Sequence, residues 1–245
     1  RLTVMMQNEK VFFSILRSAL WGTPVEVPEG FTQWSAVMKL AKIQALMGLV
    51  GDVLLTRSEI RETLPTKFVV RLQEIPMTSV GMHSQMNMTL QLIVTNLRNH
   101  GVEPVLLKGQ GLARNYPTPE LRQCGDIDLY VGVQNYAKSY EILKNIVSEI
   151  DEQSCLDSDE KHYHASVGNI MIEVHRYADI HSSSTFNQIY QEYAHIGLSE
   201  GLIPIQFGDM VVNTPADNFN AFYVFNHMWH HFMHGGVGLR PLRDW

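Results

Sequence analysis

The heptapeptide GDIDLYV at residues 125–131 constrains this chain more than any other stretch. In an extended strand alternate side chains share a face, so Asp126, Asp128 and Tyr130 point one way and Ile127, Leu129 and Val131 the other. The apolar set anchors the strand on a core, and the polar set presents two carboxylates from one rigid support. Carboxylates so placed can hold a pair of Mg²⁺ ions roughly 3.5–4 Å apart, the separation used to polarise a phosphoryl group and activate its attacker.

A second segment answers the first. In IMIEVHR at 170–176, Ile170, Ile172 and Val174 alternate with Met171, Glu173 and His175, so its polar face carries a carboxylate and an imidazole. Paired beside 126–131, it makes Glu173 a third acidic ligand. Three carboxylates at one spot repel each other unless cations neutralise them, so the expected cofactor is Mg²⁺ or Mn²⁺. His175 reads either as a proton acceptor for an incoming hydroxyl or as a group that orients Glu173. Upstream, LLKGQGLA at 106–113 puts Lys108 and Gly109 where a strand turns into a short helix. Backbone N–H groups at such a turn suit phosphate oxygens, and Lys108 adds charge. The GxxxxGK[ST] pattern is missing, so this is no Walker loop.

Apolar residues at three- and four-residue steps predict helices over 8–21, 34–49 and 64–73. A longer helix is expected from Pro76, a residue suited to a first turn, to His100, where Gly101 stops it. The Met-rich faces of these helices read as ordinary core rather than as a ligand groove. Beyond Gly101, short apolar runs predict strands over 104–108, 126–131, 162–167, 170–175 and 210–213, with Gly168-Asn169 forming a hairpin turn. Helices are expected over 110–115, 134–150, 184–194 and from Pro215 onward, and the acidic stretch 151–160 reads as a solvated loop. The expected fold class is α+β, a mixed sheet flanked by helices. Its divisions are a helical N-terminal region at 1–100, an α/β core at 101–213 and a His-rich helical segment at 214–245.

In that last segment His227, His230, His231 and His234 fall along one helical face. Such a set could ligate Zn²⁺; it could equally pack beside Trp229 and Phe232, and no thiolate or carboxylate accompanies it before Asp244. His162 and His164 in HYHASV read as half-exposed strand residues, and Cys124 as a small buried thiol.

The formal net charge of -6 and pI near 6.0 over 245 residues argue against a stable grip on nucleic acid, which needs clustered Lys and Arg. A nucleotide fits better. Two cysteines are too few for a disulfide framework and point to a reducing cytoplasm. No run approaches the roughly 20 apolar residues of a membrane span. Arg1 in place of Met, and Trp245 at what reads as the start of another helix, suggest truncation at both ends.

In order, LLKGQGLA, YPTPELRQCGDIDLYV, IEVH and HHFMHGGVGLRPLRDW resemble a largely uncharacterised bacterial nucleotidyltransferase family of the polymerase-beta-like nucleotidyltransferase superfamily, over residues 102–245. The resemblance implies a polymerase-beta-like mixed sheet, Asp126 and Asp128 as ligands of both metals, Glu173 completing the catalytic-metal site, and Gly109 approaching a triphosphate. Gln110 stands where the superfamily turn carries serine, and the interval from Gly109 to Asp126 is longer than usual. Lys108 and Arg122 are the candidates to replace the lost phosphate contact, a surface salt bridge being the other reading of Arg122. Gln110 and Gly125 complete the expected nucleotide-side set. The C-terminal segment takes a structural or substrate-facing role, with His230, His231, Arg240 and Asp244 on the acceptor side. The activity implied is Mg-dependent transfer of a nucleoside monophosphate from a triphosphate such as ATP to an acceptor hydroxyl on a small molecule, sugar or protein, releasing pyrophosphate. One rival is a catalytically inactive nucleotide- or partner-binding module, which the missing serine keeps open. The other is a metal-dependent glycosyltransferase, whose D-x-D would need neither Glu173 nor Lys108-Gly109.

Overall fold

The computed structural model describes residues 2–157 and 159–245, with side chains from Gln7 onward. The chain forms two compact units, one comprising Arg1–His83, Asn115–Gln123 and Val237–Asp244, the other Ser84–Arg114, Cys124–Gly236 and Trp245. The units interleave along the sequence.

The first unit contains helices α1 (Leu2–Trp21), α2 (Trp34–Ile43), α3 (Met47–Thr56), α4 (Ser58–Arg61) and the first half of α5 (Thr66–Asn99). Val11, Ile15, Trp34, Val37, Val50, Leu54, Ile60 and Leu72 build its core. The helix expected over 34–49 is broken after Ile43, where Ala45 takes a φ of 53°. Conversely, the helices expected on either side of Pro76 are one helix of 34 residues with the proline inside it. An internal proline costs about 3 kcal/mol. Helix α5 buries Leu72 before Pro76 and Met86, Leu90, Ile93, Val94 and Leu97 after it, and each such side chain contributes roughly 1.5–3 kcal/mol, so burial outweighs the break.

The second unit is built on a sheet. Its elements are β1 (Val105–Leu106), α6 (Gln110–Ala113), β2 (Asp126–Tyr130), α7 (Gly132–Leu143), β3 (Glu149–Ile150), α8 (Glu152–Leu156), β4 (His162–Val167), β5 (Ile170–His175), α9 (Ser184–Gly197), β6 (Ile203–Phe207), β7 (Met210–Thr214) and α10 (Asp217–His234). A final helix, α11 (Leu239–Asp244), returns to the first unit. The seven strands lie in the order β3-β4-β5-β2-β1-β7-β6. Strands β2/β5 and β1/β7 pair in parallel and the rest antiparallel, so the mixed α+β sheet flanked by helices is the fold found. Strands β3 and β6 had no expectation in the sequence. The first is only two residues long, and the second carries Pro204, tolerated because β6 is an edge strand. The acidic stretch is not all loop: the Asp151 carboxylate accepts hydrogen bonds from the backbone N–H groups of Gln153 and Ser154 and so caps α8. Ser158, also in that stretch, lies outside the described residues.

Ile127, Leu129, Tyr163, Ala165, Ile172 and Val174 pack on one face of the sheet with the second half of α5 and with Tyr136 and Leu143 of α7. On the other face Val105 and Leu107 meet Tyr190 and Ala194 of α9 and Phe219 and Tyr223 of α10. Among the described residues no helix is long and apolar enough to cross a membrane.

Candidate active site

The parallel register of β2 on β5 sets Asp128 opposite Glu173 and Tyr130 opposite His175. With alternation, this places Asp126, Asp128, Glu173 and His175 on one face. One oxygen from each of Asp126, Asp128 and Glu173 lies within 4.8 Å of the others, so the two segments read from the sequence do bring their acids together.

Lys108 and His175 supply the counter-charge. Lys108 Nζ lies 2.9 Å from Asp128 Oδ1, and His175 Nε2 lies 3.1 Å from the same oxygen and 3.4 Å from Glu173 Oε2. Burial by itself would raise the Asp128 carboxyl, but Lys108 and His175 outweigh it and hold that group well below the usual carboxylate range. Glu173 is likewise lowered: burial and the repulsion of Asp128 would raise it, but His175 and Lys108 together outweigh them. Burial opposes the charged forms of Lys108 and His175, yet the surrounding acids raise both. Even so, the fully buried Asp128 keeps Oδ2 without a hydrogen-bond partner. An orphaned anionic oxygen among three carboxylates fits a divalent cation with oxygen ligands.

The turn before α6 is shaped by Gly109, at φ 52° and ψ -119°, a conformation that L side chains rarely adopt. A Cβ there would meet the Asp126 carbonyl oxygen at 3.1 Å. The side chain of Gln110 is buried, and its Nε2 donates to Asn87 Oδ1 of α5 at 2.8 Å. Gly125 is exposed just before β2.

Arg122, Arg240 and Asp244 are occupied differently from the expectation, all within the first unit. Arg122 is 4% exposed and forks onto Asp244, Nε to Oδ1 at 2.8 Å and Nη2 to Oδ2 at 2.7 Å. Tyr116 Oη donates to Asp244 Oδ1 at 2.9 Å, and Arg240 Nη1 donates to the Gln123 carbonyl at 3.0 Å. A bidentate buried pair is strongly destabilised when one partner leaves. The Arg122 pair is therefore buried rather than a surface salt bridge, and the Asp244 carboxylate is taken up by Arg122 and Tyr116.

On α10, His227 Nε2 and His231 Nε2 lie 3.1 Å apart, while the rings of His230 and His234 stack at 4.4 Å. Burial, then Lys108 and His231, push His227 down to about 2. Among the described residues these histidines join no group of three potential metal ligands.

Several residues near the acids carried no expectation of a role. The Tyr223 hydroxyl is buried without a partner; burial and then Asp128, Asp179, Glu173 and Asp126 push it well above its usual range. Asp179 is 2% exposed, paired with Lys161 Nζ at 3.3 Å and accepting from Asn226 Nδ2 at 3.0 Å. The HYH alternation of β4 was legible, but its consequence depended on the β4/β5 register, which sets His164 opposite Glu173 and His162 opposite His175.

Comparison with known proteins adds a family. No curated protein matches the chain. A crystal structure of an antigenic nucleotidyltransferase-like protein from Paracoccidioides brasiliensis is similar at 13% identity and a TM-score of 0.42, covering 64% of this chain and 72% of that one. The model of the family described as "Uncharacterised nucleotidyltransferase" matches residues 31–245, and the chain belongs to that family.

Proposed function

We propose that this chain transfers a nucleoside monophosphate from a triphosphate to an acceptor hydroxyl of a small molecule, sugar or protein, releasing pyrophosphate. The observation that carries the reading is the convergence of Asp126, Asp128 and Glu173 from two paired strands, with one oxygen of Asp128 buried and unpartnered. These three residues would hold Mg²⁺ or Mn²⁺. When bound, the cations would neutralise charge on the α-phosphate and lower the pKa of the attacking hydroxyl.

The remaining roles fall to the chain's own groups. Lys108 can exchange Asp128 for a phosphate oxygen, adding positive charge beside the leaving group. Gly109 allows the turn to lie against the Asp126 carbonyl, where a side chain would crowd it. His175, in contact with both Asp128 and Glu173, keeps the two carboxylates oriented toward a common point. Three acids from two segments also count against an inactive module, since each is expensive to keep at close quarters without a cation.

The test is transfer of label from each α-labelled triphosphate, with Mg²⁺ and fractionated acceptors, together with pyrophosphate release. Wild-type protein should bind Mg-triphosphate and transfer label, and Asp126→Asn should be strongly impaired in both. Equal triphosphate and Mg²⁺ binding by wild type and Asp126→Asn would defeat the assignment.

A further inference from the structure

The same sheet face carries a second, nitrogen-rich constellation. Cross-strand pairing of β4 on β5 brings His162, His164 and His175 around the Glu173 carboxylate. In all three rings Nε2 faces it: His175 at 3.4 Å from Oε2, His164 at 3.5 Å and His162 at 3.9 Å from Oε1. Hydrogen bonds between such groups run about 2.7–3.2 Å, so these contacts are long for bonding between the side chains. They suit ligands shared by one ion. With Zn–N and Zn–O distances of about 2.0–2.2 Å, the edges of a tetrahedron are about 3.3–3.6 Å. Ligand atoms of His162, Glu173 and His175 already lie within 4.8 Å of one another, within reach of small rotamer adjustments.

We propose that His162, His175 and Glu173 form a second metal site, for a divalent transition ion of the zinc class, with His164 as an outer fourth donor. Imidazole nitrogen selects such ions over Mg²⁺, which prefers oxygen ligands. The site shares Glu173 with the acidic cluster but does not depend on nucleotide transfer. Because His175 Nε2 is also 3.1 Å from Asp128 Oδ1, loading exchanges that hydrogen bond for a metal bond and couples the two halves of the face.

The experiment uses the full chain stripped of metal, titrated with Zn²⁺ against a chromophoric chelator in excess Mg²⁺. Wild type should take up one tightly held Zn²⁺, and the Co²⁺-loaded form should show visible absorption bands from nitrogen coordination. His162→Gln should weaken Zn²⁺ at least tenfold and abolish its effect on the melting temperature; His164→Gln should weaken it less. Asp126→Asn should bind Zn²⁺ as wild type does while losing Mg-triphosphate, separating this site from the transferase reading. The double variant His227→Gln/His231→Gln should also bind normally. Wild-type Zn²⁺ affinity in His162→Gln, loss of Zn²⁺ in the double variant, or no uptake by wild type would overturn the site. Should His162→Gln fail to fold, electron paramagnetic resonance of Cu²⁺-loaded wild type decides. Coupling to imidazole nitrogen supports the site, and its absence refutes it.

Discussion

Two buried charged clusters in this molecule are built on opposite terms. Around Arg122 the buried acid is matched: a guanidinium forks onto the one carboxylate, and Tyr116 donates to the same group. Around Asp128 three carboxylates converge, Lys108 and His175 contact Asp128 itself, and its Oδ2 stays unpartnered. A matched cluster holds its own unit together. An unmatched one stores unfavourable charge that a ligand of the right sign can relieve, which is why perturbed, under-satisfied groups mark sites.

The contrast breaks most sharply by removing one partner from the matched cluster. Arg122→Met should cost about 3–5 kcal/mol of stability in denaturant unfolding by leaving Asp244 buried without its bidentate partner, and Arg122→Met/Asp244→Leu should recover much of it. If both unfold equally early, the pair is not the unit argued here. In the unmatched cluster, Asp126→Asn should reduce transfer by about 10²–10³-fold while shifting stability by no more than about 0.5 kcal/mol. A large stability loss with activity retained would reverse the roles of the two clusters.

Gly109→Ala lies between these extremes. At φ 52° with the Asp126 carbonyl 3.1 Å from the added Cβ, it should cost about 1–3 kcal/mol and lower transfer, as chemical denaturation and label transfer would register together. The smallest effect is electrostatic. His227 is held neutral in the folded protein, at about 2 against an ordinary 6.5. Its contribution is complete above pH 6.5 and shrinks as pH falls from 6.5 toward 2, because only the unfolded chain takes up the proton. Between pH 6.5 and 5 wild type should lose on the order of 1 kcal/mol more stability than His227→Gln; parallel pH profiles would show that His227 is solvated.

Much of the site was legible because its signals are local. Strands β4 and β5 have the limits expected from their alternation, and the same period of two put Asp126 with Asp128 and Glu173 with His175. Local signals failed where packing intervened, as at Pro76, carried inside α5, and at Ala45, where one expected helix became two. The partner of Arg122 was illegible for a related reason: Asp244, onto which its guanidinium forks, lies 122 positions away.

By itself the sequence determined which side chains share a strand face, since alternation follows from the geometry of an extended backbone. It also determined the family, whose model matches residues 31–245. Only the tertiary structure decided which strands lie side by side and in what register, and hence that Lys108 closes on Asp128 and that His162 and His164 gather at Glu173. Those choices belong to sheet order and to the burial that selects it, which no single strand encodes.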